Sequence, residues 1–420
     1  MITKNLTMRK KLLLIIFCFV SVMSYSQTIK VLFDAKKAEM AASADWIVDA
    51  DLYNIGTGTG GAMTTGSGNE ANPQRYPTPA QSGITATTAE TFWKGGLSAW
   101  GVACAKLGYT VETLPNSGTI SYGNTANAQD LANYKVYVVC EPNIKYTAAE
   151  KTALMQFVQN GGGLFIIADH TVSDRNNDGF DSPAIWNDFF NTNGIKTNPF
   201  GFTFDLANFS QTTTTFANLA TNTILHGSAG NPTKMKFANG TSMTLNKTAN
   251  ANVVGLVYKT GSSTTGTAGC MFASSKYGTG KVVGLGDSSP PDDGTGDTGD
   301  VLYNGWTVDA SGDHARIIMN ATIWLTNTAA RIGDDENGNF VNVWPNPFNE
   351  ELNVSFVNDQ VETAVVSLYD LSGRMISSQE YQTVDGVNQI TVASNELSKG
   401  SYIVTVAKGG SMISKKVMKF

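Results

Sequence analysis

The middle of the chain alternates between short, continuously apolar runs and longer stretches with a helical repeat. A short apolar run that ends in turn residues is typical of a strand buried on both faces. The pattern therefore predicts buried strands in IKVLFDA (29–35), YKVYVVCEP (134–142), GLFIIAD (163–169) and KYGTGKVVGLGD (276–287).

Two helices are predicted between these strands, each with its own start signal. The first begins at Thr87, which has the capping-box spacing with Glu90, and the second begins at Thr147, which has the same spacing with Glu150. A glycine after the first helix and three glycines after the second mark their ends. The apolar face predicted for the first helix consists of Trp93, Leu97, Trp100, Cys104 and Leu107.

Buried strands that alternate with amphipathic helices indicate the α/β class, a mainly parallel sheet with helices on both faces. We assign residues 27–328 to this domain. Polar inserts rich in Gly, Thr and Asn interrupt it near 55–86 and 200–250, and the second insert has room for short strands.

Both ends of the chain differ in composition from this α/β region. Residues 1–26 begin with basic residues, continue with an apolar run and end in small residues, which predicts a cleaved secretory signal. No later stretch has the length and apolarity of a transmembrane helix. Residues 329–342 are polar and suit a linker. Residues 343–420 alternate apolar and polar positions between short turns, which predicts a small all-β, immunoglobulin-like sandwich.

The charge and cysteine content restrict the partners. The formal net charge is -6, and loss of the basic signal makes the mature chain more acidic. Such a protein is a poor candidate for nucleic acid or anionic lipid and a better one for cations. No nucleotide cofactor is expected. Cys104, Cys140 and Cys270 remain after the signal, which is too few for a disulfide framework.

Three motifs near the C-terminus occur in one order, WPNPF (344–348), LYDLSGR (368–374) and L-x-x-G-x-Y (397–402). With them, residues 343–420 resemble the type A sorting domain of the type IX secretion system of Bacteroidota. The resemblance implies a partner, the type IX machinery, and export through the periplasm and outer membrane to the medium or the cell surface. The alternative is an ordinary immunoglobulin-like module.

A second resemblance lies in the α/β region. The stretches VLFDAKKAEM (31–40), YKVYVVCEPNIKYTAAEKTALMQFVQNGGGLFIIADH (134–170) and WNDFFNTNGI (186–195) are similar to the domain shared by gliding and intraflagellar-transport proteins. That family is related to class I glutamine amidotransferases. The resemblance implies a flavodoxin-like fold and a carbohydrate-related role without an established reaction.

Amidotransferase chemistry needs a cysteine on a tight strand-to-helix turn. Cys104 belongs to the apolar face of a predicted helix, and Cys140 is followed by Glu-Pro. After the strand GGGLFIIA, where related proteins have their nucleophile, this chain has Asp169 and His170. A glutamine amidotransferase is therefore not expected.

Four predicted strands end in acids, namely Asp34, Glu141, Asp169 and Asp287, and His170 follows the third. Ligands of parallel α/β sheets bind beyond the C-terminal strand ends, so these side chains are predicted to meet in one crevice. Gathered carboxylates repel one another unless a cation or sugar hydroxyls lie between them. The alternative is that some of them only cap helices or shape turns.

Ser288 follows the last of these acids in the segment GDSSPPDDGTGDTGD (286–300) and is a further candidate ligand-binding residue. The tripeptide Gly-Asp-Ser resembles that of some esterases, but the Asp-x-x-His partner motif is not matched at His314. This acidic segment is better interpreted as a second cation loop or a lid on the crevice.

The segment DRNNDGFDS (174–182) has the alternating oxygens of a calcium loop, with Gly179 at the sharp turn. It is not a calcium hand, because Ile185 stands where the bidentate glutamate would be. It resembles the compact loops of thrombospondin type 3 repeats, and the alternative is an Asx-rich turn. The candidate ligands are Asp174, Asn176, Asp178, Phe180 through its carbonyl, and Asp181.

Three classes of function are compatible with these patterns. The first is an exported carbohydrate-binding protein supported by calcium. The second is a metal-assisted hydrolase of glycans or other polymers, with His170 or Asp169 as general base. The third is a surface adhesive or structural protein. An Asp-His pair alone does not establish catalysis, so binding ranks first and enzymatic activity is left open.

Overall fold

A computed structural model describes the chain in segments: residues 29–41, 44–49, 55–57, 63–65, 81–295, 303–326, 341–344, 346–358, 361–384, 386–394, 396–408 and 411–419. The predicted signal, most of the first insert and most of the linker lie outside the described residues. Among the described segments, no helix has the length and apolarity needed to cross a membrane.

The N-terminal unit contains both strands and helices. Its strands are β1 (Lys30–Asp34), β2 (Met40–Ala41), β3 (Ala44–Asp45), β4 (Ile55–Thr57), β5 (Met63–Thr65), β6 (Thr110–Leu114), β7 (Val136–Cys140), β8 (Gly163–Ile167), β9 (Phe202–Thr213), β10 (Thr215–Phe216), β11 (Met235–Leu245), β12 (Val254–Tyr258), β13 (Cys270–Tyr277) and β14 (Gly280–Leu285). Its α-helices are α1 (Ser98–Lys106), α2 (Ala148–Gln159), α3 (Ser182–Thr192) and α4 (Asp313–Thr326). Short 3-10 helices cover Glu90–Phe92, Leu131–Asn133 and Asp309–Gly312.

One large mixed sheet organises this unit, in the order β10-β12-β13-β14-β8-β7-β1-β6. The five strands from β14 to β6 are parallel and almost fully buried. Four of them, β1, β7, β8 and β14, lie in the predicted apolar runs, and β6 was missed. The strands beyond β14 are antiparallel, and β11 joins β13 to β9. The second insert therefore contributes long strands, β9 of 12 and β11 of 11 residues, where short ones were expected.

Strand register decides which strand ends meet. The last residues of β7, β8 and β14, which are Cys140, Ile167 and Leu285, are level with one another. β1 is offset, because Phe33 pairs with Val138 and the last residue of β1 therefore stops one residue below the end of β7. The acids after β7, β8 and β14 consequently share one edge, and the acid that ends β1 lies lower.

The first predicted helix is wrong in its N-terminal half. α1 begins at Ser98, and the capping box predicted at Thr87 is replaced by a turn and a 3-10 helix. The reason is a close approach of two backbones: a Cβ added at Gly95 would lie 2.1 Å from the carbonyl oxygen of Ile47. The chain packs there in non-helical form, and Leu107 at the end of the predicted face is exposed.

The second predicted helix is confirmed. In α2 the Thr147 hydroxyl accepts the Glu150 amide at 3.3 Å, and the Glu150 carboxylate accepts the Thr147 amide at 2.8 Å. The helix ends at Gln159, directly before Asn160 and the three glycines. The complete capping box satisfies two amides that the first turn leaves unpaired.

The C-terminal unit is all-β with a core of its own. It contains a sheet of order β15-β16-β19 and a sheet of order β18-β17-β20-β21, both antiparallel, which fits a sandwich. The core includes Phe348, Leu352, Val354 and Val404. The strands are β15 (Val341–Trp344), β16 (Glu351–Asn358), β17 (Thr363–Asp370), β18 (Met375–Gln382), β19 (Gly386–Ala393), β20 (Gly400–Lys408) and β21 (Ser411–Lys419).

Candidate functional site

Glu141 is the innermost residue of the strand-end site. It follows β7 directly, is fully buried, and has a left-handed backbone with φ of 50°. One carboxylate oxygen, Oε2, accepts the Trp46 indole N–H at 2.6 Å and the Ser288 hydroxyl at 2.9 Å. Oε1 lies 3.5 Å from the Arg175 guanidinium. A non-glycine residue in this conformation costs energy, and such strain is concentrated at functional sites.

Asp287, after β14, anchors the neighbouring antiparallel strand. Its Oδ1 accepts the amide and the hydroxyl of Ser289 at 2.8 and 2.6 Å, and its Oδ2 accepts the Ala238 amide of β11 at 2.6 Å. Gly240 permits this close approach, because a Cβ there would lie 2.5 Å from the Asp287 Cβ. β11 therefore forms one wall of the site.

Asp169 and His170, after β8, form the accessible part. The His170 Nδ1 is hydrogen-bonded to the Asp169 carboxylate, and the two side chains are 20% and 8% exposed. The next residue, Thr171, is held to β9 by Asn208, whose side-chain oxygen accepts the Thr171 amide at 2.7 Å. The imidazole is thus fixed at the mouth of the site.

The acids of the site are coupled electrostatically. Burial is the main cause that raises the pKa of both Glu141 and Asp287 well above the usual range, and the nearby charge of Asp169 raises both further. Arg175 opposes this shift at Glu141.

The structure thus brings together five of the predicted residues, Glu141, Asp169, His170, Asp287 and Ser288. Asp34 does not join them, because β1 ends at a lower level of the sheet. Its carboxylate lies in a separate buried cluster with Glu39, Tyr137 and Tyr146.

The predicted calcium loop is folded as a network of Asx-type turns. The Asp174 carboxylate accepts the Gly179 amide at 2.7 Å, and the Asp178 carboxylate accepts the Phe180 amide at 2.9 Å. The Asn176 side chain donates to Asp178 at 3.1 Å. Within the described residues, no group of three or more His, Cys, Asp or Glu side chains is arranged to hold a metal ion.

Asp181, the last predicted ligand of this loop, is the N-cap of α3. Its Oδ1 accepts the Ala184 amide at 3.1 Å, and its Oδ2 accepts the amide of Val172 at 2.9 Å. Val172 is β-branched and yet has φ of 65°, so this bond holds a strained turn two residues after His170. The helix cap and this turn together use both oxygens of Asp181.

The acids of the later segment, 286–300, also satisfy backbone amides. Asp293 accepts the Ala99 amide at the start of α1 at 2.6 Å, and Asp292 accepts the Tyr303 amide at 2.7 Å. Burial raises the pKa of Asp292 to about 8 and that of Asp293 to about 7. Residues 296–302, on which a lid would depend, lie outside the described residues.

The other reactive side chains of the described segments are three buried thiols, of which Cys140 directly precedes Glu141, and two further histidines. Burial raises the pKa of Cys270 to about 12 and keeps the Cys104 and Cys140 thiols protonated as well. His314 is a satisfied core residue, since it donates to the Gly305 carbonyl and accepts the Lys236 amide, both at 2.9 Å. His226 is exposed.

Sequence reasoning missed Trp46 and Arg175. The indole of Trp46 comes from 95 positions away along the chain, so no local pattern links it to Glu141. Arg175 lies inside the loop that was interpreted through its oxygens alone. The available signal was a cationic residue in the loop that follows the strand-end acid Asp169.

Comparison with known proteins identifies only the C-terminal unit. Residues 342–419 match the family described as secretion system C-terminal sorting domain. A search of curated proteins gave no match.

Solved structures give distant likenesses. The mmIFT52 N-terminal domain is 13% identical with a TM-score of 0.40, over 72% of this chain and 100% of that one. A β-glucosidase variant from Listeria innocua in complex with laminaribiose is 11% identical with a TM-score of 0.16, over 95% and 46%. A β-glucosidase from Erythrobacter marinus is 10% identical with a TM-score of 0.17, over 94% and 47%. These scores support no functional assignment.

The sorting-domain match confirms the interpretation of the C-terminal motifs. WPNPF, LYDLSGR and L-x-x-G-x-Y all lie within the matched residues. The protein therefore carries a type IX secretion system sorting domain at its C-terminus and is exported to the cell surface or the extracellular space.

Proposed function

We propose that the N-terminal unit binds a carbohydrate at the strand-end site, outside the cell. The observation that supports this most is the grouping of Glu141, Asp169 and Asp287 at adjacent parallel strand ends around His170. His170 and Arg175, 20% and 26% exposed, are the accessible groups of the site, and the buried acids lie behind them. Hydroxyl-rich ligands need such mixed donors and acceptors.

The fold part of the proposal is a flavodoxin-like unit akin to the gliding and intraflagellar-transport domain. In chain order the parallel strands are β1, β6, β7, β8 and β14. Counted across the sheet from the β6 edge, their order is β6, β1, β7, β8, β14, so the first two strands of the chain are exchanged. This order matches that of flavodoxin-like sheets and supports the proposal. In such sheets ligands bind where the order reverses, here between β1 and β7, and Glu141 is the site residue that lies at this point.

The test is a glycan array probed with the mature chain, residues 27–420, with and without chelator. We expect binding to a restricted set of glycans, because the site presents a fixed arrangement of donors and acceptors. An array without any specific binding would contradict the carbohydrate proposal and leave the adhesive or structural class.

A hydrolase is the second candidate, and the geometry of His170 favours it specifically. The bond from Nδ1 to Asp169 fixes the tautomer and orientation of the ring. Nε2 is then the nitrogen that can take a proton from water or a hydroxyl group, as the histidine of an acid-histidine pair does. A metal-assisted version needs a cation beside this pair.

Calcium at the 174–181 loop is a separate proposal. It rests first on the spacing of the oxygens along the loop. It rests also on the remaining lone pairs of Asp174 and Asp178, because each carboxylate oxygen that accepts a backbone amide in this loop accepts only one. We expect calcium to raise the melting temperature of the mature chain, since an ion that binds only the native state stabilises it. Asp178→Ala should remove the part of the rise that this loop contributes. Equal calcium-dependent shifts in wild type and variant would leave the loop as an Asx-rich turn.

A further inference from the structure

The turn that begins at His170 contains a residue that is unfavourable for folding in two ways. Val172 has φ of 65°, a left-handed conformation that β-branched side chains disfavour. In the described segments it is the only Val, Ile or Thr with a positive φ. Its side chain is also 86% exposed, more than any other large apolar side chain of those segments. An outlier of this kind is a reason to look for a function at that position.

Side-chain hydrogen bonds hold this turn from two directions. Asp181, the N-cap of α3, accepts the Val172 amide at 2.9 Å. Asn208 of β9 accepts the Thr171 amide at 2.7 Å and donates to the Thr171 carbonyl at 3.1 Å. The backbone that carries the exposed isopropyl group is therefore fixed in its strained conformation by the surrounding structure.

Val172 lies beside the polar mouth of the strand-end site. Two residues separate the Val172 and His170 Cα atoms by at most about 7 Å. The Ser173 hydroxyl closes the turn, because it donates to the His170 carbonyl at 2.8 Å. In β9, to which the turn is bound, Leu206 lies two residues before Asn208 and is 64% exposed. The mouth of the site therefore combines an imidazole with exposed aliphatic groups.

A ligand that suits this mouth is polar at its edge and apolar on one face. A pyranose ring with equatorial hydroxyl groups has this form, because its hydroxyl groups point outward around the edge and its axial C–H groups make both faces apolar. An axial hydroxyl group places a polar atom on one face. Against an aliphatic side chain such a group loses water without gaining a hydrogen bond, which is unfavourable.

We propose that Val172 is a ligand contact of the strand-end site and selects pyranose units with equatorial hydroxyl groups, by packing against their apolar C–H face while the ring edge reaches His170. This inference rests on the proposed function, since it names the class of carbohydrate bound at the same site. The strain at Val172 is consistent with it, because residues at functional sites are commonly less stable than the fold alone would favour.

The experiment is calorimetric titration of the mature chain, residues 27–420, with four β-1,4-linked tetrasaccharides. The ring substituents of cellotetraose, xylotetraose and chitotetraose are equatorial, whereas mannotetraose has an axial hydroxyl group at C2. We expect at least one of the first three to bind at least about tenfold more tightly than mannotetraose, because the axial hydroxyl group would be buried without a partner.

Three substitutions of Val172 separate its contact from its effect on folding. Val172→Asn should weaken binding of the tightest tetrasaccharide by about three- to tenfold, because the aliphatic contact is lost. It should also raise the melting temperature of the α/β unit by about 2–4 °C, since Asn tolerates a left-handed backbone. Val172→Thr keeps the β-branched shape and should weaken binding without that rise. Val172→Ile should retain wild-type affinity.

The matched control is Ile195→Asn. Ile195 is also β-branched and is 45% exposed, but it follows the far end of α3, away from the end that Asp181 caps. Its substitution should leave tetrasaccharide affinity unchanged. His170→Asn is measured with the same four tetrasaccharides and should weaken their binding, because it removes the polar contact of the same site.

The outcomes are distinct. Equal affinity of wild type and Val172→Asn, together with weaker binding by His170→Asn, would overturn this inference and leave the proposed function intact. Mannotetraose binding as tight as that of the other three, or binding of array glycans without binding of those three, would do the same. A wild type that binds no glycan would overturn both. A wild-type dimer that Val172→Asn converts to a monomer would make this side chain a contact between copies instead.

Discussion

A chain that lacks residues 342–419 is expected to fold but to accumulate in the periplasm. These residues match the sorting-domain family, and their apolar side chains form a core of their own. The α/β unit has a separate core built on its large sheet. Removal of the C-terminal unit should therefore abolish export without unfolding the remainder. Immunoblots of periplasm, outer membrane and medium measure the effect.

The matched control is the full chain with Val384→Ala, a change at an exposed side chain of the C-terminal unit. It should be exported like wild type. Truncated protein in the medium at the wild-type level would contradict the role of the sorting domain. A truncated chain without cooperative thermal unfolding would contradict the independence of the two units.

Trp100→Ala is expected to lower the free energy of unfolding of the α/β unit by about 3–5 kcal/mol, the usual cost of removing a buried Trp or Phe ring. The Trp100 ring is fully buried and packs at 5.3 Å from Phe33 and 4.8 Å from Phe165, measured between ring centroids. Its indole donates to the Thr322 hydroxyl of α4 at 3.0 Å. It therefore ties α1 to β1, β8 and α4.

Denaturant titration measures this loss. The control is Phe92→Ala, because Phe92 is 43% exposed and precedes α1. Its effect should be within about 0.5 kcal/mol, as for most surface substitutions. Equal effects of the two substitutions would show that Trp100 does not support the sheet in the way its contacts indicate.

Four of the five parallel strands and their acidic ends were predictable, because a continuous apolar run followed by an acid is a local pattern. The α2 capping box is local as well, and it is present as predicted. The start of α1 was not predictable in this way. It depends on the contact between Gly95 and the backbone of Ile47, two segments that are distant along the chain.

The composition of the site was predictable only in part, for a similar reason. Register is a property of strand pairs, and the offset of β1 removes Asp34 from the group that Glu141 and Asp287 form. Arg175 reaches Glu141 from a loop whose oxygens face their own backbone. A single sequence shows which side-chain oxygens a segment has, but it does not show which donors will form hydrogen bonds with them.

The central claim, a carbohydrate site around His170, is tested most directly by His170→Asn. Binding of an array-selected glycan and formation of its cleavage product are measured separately for the wild type and the variant, with His226→Asn as the control at an exposed histidine. A ligand contact predicts an affinity loss of about 1–3 kcal/mol in His170→Asn, wild-type affinity in the control, and no product from any of the three. If the wild type forms product, and the rate of product formation falls by about two to four orders of magnitude in a variant that still binds, the protein is an enzyme. Equal affinity of wild type and His170→Asn would contradict the site itself.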